Sequence, residues 1–221
     1  MLKVGLTGGI ASGKSVVGEI FVALGARLVQ ADQIAHSLMQ PGEAVYDDVV
    51  RHFGREILSA DGSVNRGKLA ELAFGNGASR IEELNRIVHP AVIRRQEEWM
   101  EEQGREDPHV VAMVEAALIL EAGMKDRFDR LVVVTCSEEQ RAARFAARQK
   151  IDLQAARKEV ARRMAAQLPD EEKIRVADYV IDNSGAVEKT REQVRGIWPS
   201  LIAQTGARTV SQIPHSSQNR A

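Results

Sequence analysis

Eight consecutive residues near the start of the chain match the phosphate-binding pattern G-x-x-x-x-G-K-[ST] in full: Gly8, Gly9, Ile10, Ala11, Ser12, Gly13, Lys14 and Ser15. A β-rich apolar run precedes them and an amphipathic helical pattern follows, which is the context that this pattern requires. In such a loop the glycines let main-chain N–H groups point at phosphate oxygens, and the helix offers its positive dipole end. We expect this phosphate loop, residues 8–16 with Val16 included, to bind a nucleoside triphosphate.

Two side chains of the phosphate loop have specific expected roles. Lys14 should reach the β- and γ-phosphates, and the hydroxyl of Ser15 should bind Mg²⁺. The loop alone does not identify the phosphoryl acceptor, because GTPases, ATPases and small-molecule kinases all contain it.

A carboxylate stands at the end of the second predicted strand. Asp32 closes the run Leu28 to Asp32, and open α/β sheets bind ligands outside the carboxyl ends of their strands. Asp32 could therefore accept the proton of an attacking hydroxyl as a general base. It could equally cap a helix from Gln33 to Met39, because aspartate is a common N-cap residue. Position alone leaves both interpretations open.

Basic residues cluster between positions 141 and 163, where only Asp152 and Glu159 are acidic; the basic set is Arg141, Arg144, Arg148, Lys150, Arg157, Lys158, Arg162 and Arg163. The first three recur at i, i+3 and i+7, so one helix face would present guanidinium groups that could close over a triphosphate as a lid. A solvated helix face is the alternative for any one of these arginines.

Glu115 ends another apolar run and occupies the place of a Walker B acid, which would bind Mg²⁺. It could instead be an ordinary residue at the end of a strand. The histidines at 36, 52 and 89 fall in separate segments and show no metal-binding spacing.

Composition bounds the class of protein. Of 221 residues, 44% are hydrophobic and 28% charged, which is typical of folded globular domains. The 30 Lys plus Arg and 31 Asp plus Glu give a formal net charge of −1. This balance argues against attraction of the whole surface to nucleic acid or an anionic membrane, so we expect neither partner.

The single cysteine, Cys136, cannot form an internal disulfide, and no zinc-like cluster of Cys and His is present. We interpret Cys136 as a small buried strand residue. The first residues lack the order of a signal peptide, and no run of about 18 apolar residues could span a bilayer. We therefore expect a cytoplasmic protein.

The predicted strands are short runs rich in Val, Ile and Leu, separated by helical or polar sequence: Leu2–Thr7, Arg27–Val29, His109–Glu115, Leu131–Thr135 and Tyr179–Ile181. Gly25 is placed to end the first helix. This alternation is typical of an α/β fold whose parallel sheet is covered by helices on both faces.

Between Asp32 and Pro108 the pattern is helical and predicts an insertion, with turn signals at Pro41-Gly42, Asp61-Gly62-Ser63 and His89-Pro90. Ser137 to Gln140 fits a capping box and opens a helical stretch that ends at Leu168-Pro169. We expect a disordered tail from about residue 210 to 221.

Motifs more specific than the phosphate pattern extend along the chain: Thr7-Gly8-Gly9-Ile10, Ala31-Asp32-Gln33-Ile34-Ala35-His36, Leu118-Ile119-Leu120-Glu121, Gln167-Leu168-Pro169 and Ala177-Asp178-Tyr179-Val180-Ile181-Asp182-Asn183-Ser184-Gly185. Together with Arg144 and Arg148, this series resembles the dephospho-coenzyme A kinase family. The resemblance covers most of the chain.

The resemblance implies an α/β P-loop NTPase fold: a five-stranded parallel sheet flanked by helices, with a helical substrate subdomain and a helical lid. We expect a single kinase domain. Its nucleotide-binding core would comprise residues 1–32, 109–136 and 174–205, its coenzyme A subdomain residues 33–108, and its lid residues 137–173.

The resemblance also implies ATP with Mg²⁺ as phosphoryl donor and the ribose 3′-hydroxyl of dephospho-coenzyme A as acceptor. By it Asp32 becomes the general base, Lys14 and Arg144 steady the transferred phosphoryl group, and Ser15 holds Mg²⁺. We add Arg148 and Asn183 to the nucleotide-binding residues 8–16. We expect a monomer or a weak homo-oligomer.

Three positions depart from the family pattern. Gln30 replaces the first aspartate of an Asp-Ala-Asp segment, Ala11 replaces a glycine, and Ala117 replaces a proline. Two rival functions stay open. One is another P-loop metabolite or nucleoside monophosphate kinase. The other is a GTP-dependent switch, since residues 182–185 fit D-x-x-G; however, the chain contains no Asn-Lys-x-Asp guanine motif.

Overall fold

The computed structural model describes residues 1–74 and 80–206, so the predicted tail lies outside the described residues. Its sheet has five strands: β1 (Leu2–Thr7), β2 (Arg27–Gln30), β3 (Val111–Glu115), β4 (Arg130–Thr135) and β5 (Tyr179–Asp182). The strand order is β2-β3-β1-β4-β5. Strand β1 pairs in parallel with β3 and β4, and β4 pairs in parallel with β5. The predicted five-stranded α/β fold is confirmed.

The helices are α1 (Lys14–Ala23), α2 (Ala31–Leu38), α3 (Ala44–Phe53), α4 (Arg66–Phe74), α5 (Ile81–Glu106), α6 (Glu138–Gln149), α7 (Leu153–Met164), α8 (Asp170–Arg175) and α9 (Val187–Thr205). Short 3₁₀ turns occur at Arg55–Ile57 and Lys125–Arg127. The chain divides into two compact units, one formed by Met1–Leu28 with the chain from Glu102 onward and the other by Val29–Glu101.

The core of the first unit lies between the sheet and the helices packed against it. Because successive side chains of a strand point to opposite faces, Leu2, Val4 and Leu6 of β1 share one face, and all three are buried. Helices α1 and α9 cover this face with apolar residues that include Phe21 and Leu201. This packing fixes the end of β1 and the start of α1, which are the elements that flank the phosphate loop.

The second unit has its own apolar core. Val45, Val49 and Phe53 recur every fourth residue of α3 and are buried, so one face of this helix points inward. Buried residues from α2, α4 and α5 complete this core.

Two sequence predictions about helices are wrong. His89-Pro90 does not interrupt the helix, because Pro90 lies inside α5. The apolar face of α5 continues across it, from Val88 before the proline to Val92 after it, and both are buried in the core of the second unit. We attribute the unbroken helix to this packing, which outweighs the hydrogen bond that proline removes.

The helical stretch from residue 138 towards Leu168 is two helices rather than one. Lys150 adopts a left-handed conformation with φ 55° and ends α6. Asp152 then caps α7, because its carboxylate accepts hydrogen bonds from the Gln154 and Ala155 amides, both at 2.9 Å. The predicted cap at Ser137 is confirmed, since its hydroxyl accepts a hydrogen bond from the Gln140 amide at 3.3 Å.

Within residues 1–74 and 80–206, none of the helices combines the length and the apolar character that crossing a membrane requires.

Candidate active site

The phosphate loop connects the end of β1 to the start of α1. Gly13 is the N-cap of α1 and has a left-handed backbone with φ 90°. A Cβ at this position would collide with the side-chain nitrogen Nδ2 of Asn183. A Cβ on Gly8, whose φ is 152°, would collide with the Val134 carbonyl oxygen. Both positions therefore require glycine for backbone conformation and for space.

Ala11 also has a left-handed backbone, with φ 53°. This is the position where the family pattern has glycine, so the departure noted in the sequence places a side chain in a conformation that costs roughly 1–2 kcal/mol. The loop keeps its turn in spite of that cost.

The Lys14 ammonium group lies against the loop. Its Nζ donates hydrogen bonds to the carbonyl oxygens of Gly8 at 3.0 Å and Gly9 at 3.3 Å. A positive charge is thereby held over the main chain that would surround a phosphate group. Its contact with a nucleotide stays a prediction.

Ser15 and Glu115 meet beside the loop. The Ser15 hydroxyl donates a hydrogen bond to the Glu115 carboxylate at 2.8 Å. Glu115 ends β3, which pairs with β1, and is 8% exposed. Two oxygen-bearing side chains are thus brought together next to the loop, an arrangement suited to a hard divalent cation.

Arg144 and Asn183 hold the second half of the loop. Arg144 donates hydrogen bonds to the carbonyl oxygens of Ser12 at 3.2 Å and Asn183 at 2.8 Å. The buried Asn183 side chain donates to the same Ser12 carbonyl at 2.9 Å and accepts from the Thr190 hydroxyl at 2.9 Å. Asn183 thus supports the loop from within the protein, and its direct contact with a nucleotide stays a prediction.

The three arginines predicted to share one face of α6 have different surroundings. Arg148 is exposed, with its guanidinium carbon 5.6 Å from the centre of the Phe145 ring. Arg141 is completely buried and forms an ion pair with Asp170. The alternative of a solvated helix face is therefore wrong for Arg141, because the start of α6 packs against the phosphate loop, whose Ile10 carbonyl accepts a hydrogen bond from Arg141.

The sequence predicts Asp32 at the end of a strand, and this prediction is wrong. Strand β2 ends at Gln30, the chain enters α2 at Ala31, and Asp32 lies in the first turn of that helix with an exposed side chain. The N-cap alternative is also wrong, because Gln30 has the extended backbone of the cap residue. A carboxylate in the first turn is favourable for the helix dipole. The role of Asp32 as general base stays a prediction.

Two residues that sequence reasoning missed also shape the loop. Asp170 pairs with Arg141, and Thr190 donates to the Asn183 side chain. Thr190 lies inside α9, so no local motif marks it. Asp170 follows the Gln167-Leu168-Pro169 motif directly, which was the one available signal.

Cys136 is buried, as predicted, with 8% exposure, but it directly follows β4 and is not a strand residue. Its sulfur lies 3.7 Å from the Ala11 carbonyl oxygen of the loop. Burial raises the pKa of the Cys136 thiol, and the nearby Arg141 and Arg144 lower it by less. Because a higher pKa leaves less thiolate at a given pH, the native thiol is a poor nucleophile.

We expect Cys136 in the folded protein to react with a thiol reagent at pH 8 at least about tenfold more slowly than in the urea-unfolded chain. The measurement is the rate of iodoacetamide labelling, followed by mass spectrometry. ADP should slow labelling further, because reagent access requires the loop at Ala11 to move. Equal rates in the folded and unfolded protein would contradict the described burial.

Comparison with known proteins shows which family the chain belongs to. The family model for CoaE, dephospho-CoA kinase, matches residues 2–189. A dephospho-CoA kinase of Syntrophotalea carbinolica is 41% identical over 202 residues, spanning 91% of this chain and 93% of the relative. That of Geobacter metallireducens is 40% identical over 202 residues, spanning 91% of this chain and 98% of the relative.

Two solved structures share the fold of this chain. The crystal structure of TT1252 from Thermus thermophilus is similar with a TM-score of 0.73 and 30% identity, covering 92% of this chain and 97% of that one. The dephospho-CoA kinase from Campylobacter jejuni shares the fold, with a TM-score of 0.66 and 24% identity over 91% of this chain and 98% of that one. The family model, the two relatives and the phosphate loop described above show that the chain belongs to the dephospho-CoA kinase family.

Proposed function

We propose that this protein transfers the γ-phosphoryl group of ATP to the ribose 3′-hydroxyl of dephospho-coenzyme A. The observation that carries the proposal is a complete phosphate loop with the Lys14 ammonium held on its carbonyls, in a chain of this family. The product would be coenzyme A, and the reaction would complete its synthesis.

We take the donor site to comprise residues 8–16 together with Arg144, Arg148 and Asn183, of which Arg144 and Asn183 hydrogen-bond to the Ser12 carbonyl. Main-chain N–H groups of the loop and the start of α1 bind the phosphates, and Lys14 moves its hydrogen bonds from loop carbonyls to phosphate oxygens. Catalysis then comes mainly from positioning and from charge stabilisation by Lys14 and Arg144.

On the acceptor side, Asp32 takes the proton of the ribose hydroxyl as that oxygen attacks the γ-phosphorus in line. Its carboxylate is exposed at the start of α2, which gives a substrate access to it. Residues 33–108 form the coenzyme A subdomain and residues 137–173 the lid, and the rest of the kinase domain, residues 1–32, 109–136 and 174–205, is the nucleotide-binding core. Closure of the lid excludes water, which competes as an acceptor.

Mg²⁺ fits the pair formed by Ser15 and Glu115. Among the residues that the structure describes, no group of three His, Cys, Asp or Glu side chains could hold a metal ion; Mg²⁺ in kinases is bound by one or two side chains together with substrate phosphates and water. When bound, the ion would neutralise phosphate charge. Ser15 would be its ligand from the loop, and Glu115 would orient that hydroxyl or bind the ion itself.

Glu115→Gln should raise the Mg²⁺ concentration for half-maximal activity by about tenfold, because the buried carboxylate contributes charge that the amide lacks. The measurement is initial rate against free Mg²⁺ at fixed ATP. The matched control is Glu192→Gln, an exposed position on α9. An unchanged Mg²⁺ requirement in a folded Glu115→Gln protein would refute the metal role.

ADP release from ATP, measured with a panel of purified acceptors, tests the function. Dephospho-coenzyme A should give rapid turnover, while nucleoside monophosphates and other metabolites should not. Competition between ATP and GTP distinguishes a kinase from a GTP-dependent switch. Rapid turnover with a different acceptor, and none with dephospho-coenzyme A, would overturn the proposal.

The proposal includes a cytoplasmic location and excludes nucleic acid and membrane as partners, in line with the formal charge of −1. It also takes the protein to be a monomer or a weak homo-oligomer, which sedimentation velocity at several concentrations would test.

A further inference from the structure

Arg141 is buried in an unusual way. Its side chain is only 1% exposed, although arginine is seldom fully buried unless it is paired. The guanidinium group donates through each of its three nitrogens: Nε to the Cys136 carbonyl at 3.2 Å, Nη1 to the Ile10 carbonyl at 2.9 Å, and Nη2 to Asp170. Each nitrogen thus has an acceptor within the protein, and three of the five N–H donors of the group are used in these bonds.

The contacts of Arg141 converge on the first half of the phosphate loop. Ile10 is part of the loop, and a Cβ on Gly9 would collide with the guanidinium group. Cys136 follows β4, a strand of the five-stranded sheet. Arg141 therefore connects Gly9 and Ile10 to the sheet, whereas Arg144 and Asn183 hold the second half through Ser12.

Asp170 compensates the charge of Arg141. The two form an ion pair in which the Asp170 side chain is 22% exposed. Because the pair is neutral, Arg141 offers no net positive charge to a triphosphate. This distinguishes it from an arginine that stabilises a transferred phosphoryl group.

Helix α8, which carries Asp170, is anchored at its other end. The Nζ of Lys173, a residue with no exposed surface, forms an ion pair with Glu121 at 3.0 Å. The same Glu121 carboxylate accepts a hydrogen bond from the Leu168 amide, also at 3.0 Å. Asp170 thus starts a short helix that is fixed on both sides, and it can hold Arg141 in place.

We propose that Arg141 is a positioning residue for ATP, acting with Asp170 to hold the Gly9 and Ile10 half of the phosphate loop in its phosphate-binding shape. The proposal rests on the nucleotide site proposed above. Without Arg141 this half of the loop is free to move. The entropy cost of ordering it then lowers the free energy gained each time a nucleotide binds. The loss therefore appears in ATP affinity, while kcat at saturation and the KM for the acceptor are preserved.

The first test is Arg141→Gln, which replaces the guanidinium group with an amide that still donates hydrogen bonds but carries no charge. Calorimetry should show an ADP Kd about 10- to 100-fold higher, the effect of losing charge-assisted hydrogen bonds. The KM for ATP should rise by the same factor. Arg191→Gln, at an exposed position on α9, is the matched control and should bind ADP like the unchanged protein.

Asp170→Asn is the second variant. It leaves residue 141 as arginine, so it remains a test if Arg141→Gln does not fold. It should weaken ADP binding in the same direction but less. In the double variant the loss should not exceed that of Arg141→Gln alone, because Asp170 acts through Arg141. Additive losses would overturn this coupling.

Two further results would overturn the positioning role. A folded Arg141→Gln protein with unchanged ADP affinity and a lower melting temperature would make the pair merely structural. A fall in kcat with unchanged KM for ATP would make Arg141 a group that acts on the transferred phosphoryl. ADP binding is measured without an acceptor, so either result is distinguishable from failure of the proposed reaction, in which the unchanged protein binds ADP but does not phosphorylate dephospho-coenzyme A.

Discussion

Asp32→Asn is expected to lower kcat by about 10²- to 10⁴-fold, the range attributed to a positioned general base. The asparagine amide has nearly the same shape as the carboxylate but cannot accept the hydroxyl proton. ADP affinity and thermal stability should stay close to those of the unchanged protein, because the Asp32 side chain is exposed and is not the N-cap of α2. The measurements are steady-state kinetics with saturating ATP and dephospho-coenzyme A, and calorimetry with ADP.

Asp47→Asn is the matched control for this prediction. Asp47 is also an exposed aspartate in the first turn of a helix, α3, in the same compact unit. It therefore reports what the loss of a favourable helix-dipole charge does by itself. Near-normal turnover of Asp32→Asn, or an equal loss in Asp47→Asn, would remove Asp32 from the mechanism.

Lys14→Met should lower kcat by about 10²- to 10³-fold, comparable to the loss of one electrostatic donor at a reacting centre. Methionine keeps most of the aliphatic side chain and removes the ammonium group that lies on the Gly8 and Gly9 carbonyls. ATP affinity should also fall, because in the proposed mechanism Lys14 contacts the β- and γ-phosphates before and during transfer. Turnover measured over a wide range of ATP concentration separates the two effects.

Lys125→Met is the control for Lys14→Met, since it makes the same substitution at an exposed position outside the loop. Circular dichroism and thermal unfolding should show both variants folded. If Lys14→Met retained normal turnover, the loop would not serve as the donor site.

The sequence predicted the site most accurately where the signal is local. The phosphate loop is a contiguous pattern, and its glycines occur where the backbone must adopt a conformation that other residues disfavour, such as the left-handed conformation of Gly13. The strands were recognisable because a buried parallel strand is a short continuous apolar run, and β1 begins and ends where it was predicted, at Leu2 and Thr7.

Helix boundaries were less predictable because competing local signals have similar strength. Pro90 reads as a break, but the buried face of α5 carries the helix through it. Asp32 directly follows an extended run, and one residue decides whether it ends the strand, caps the helix or lies in the first turn. Asp152 is a good N-cap residue, yet the surrounding arginines and alanines favour a continuous helix, so the break before α7 was missed.

The surroundings of the arginines could not be predicted from spacing alone. Arg141, Arg144 and Arg148 share a helical repeat, but their differences depend on residues distant in sequence. Asp170, which compensates Arg141, lies 29 positions away, and Asn183, whose carbonyl binds Arg144, lies 39 positions away. Such pairs form only when α6 is packed against the loop, and no local pattern encodes that packing.

The central claim is that the γ-phosphoryl group of ATP moves to one particular hydroxyl of dephospho-coenzyme A. Phosphorus NMR of the product formed by the purified protein with ATP and Mg²⁺ tests it most directly. The account predicts one ADP and one coenzyme A for each ATP consumed, with the new phosphate on the ribose 3′-oxygen. Free inorganic phosphate as the main product, or a phosphate on any other oxygen of the acceptor, would contradict it.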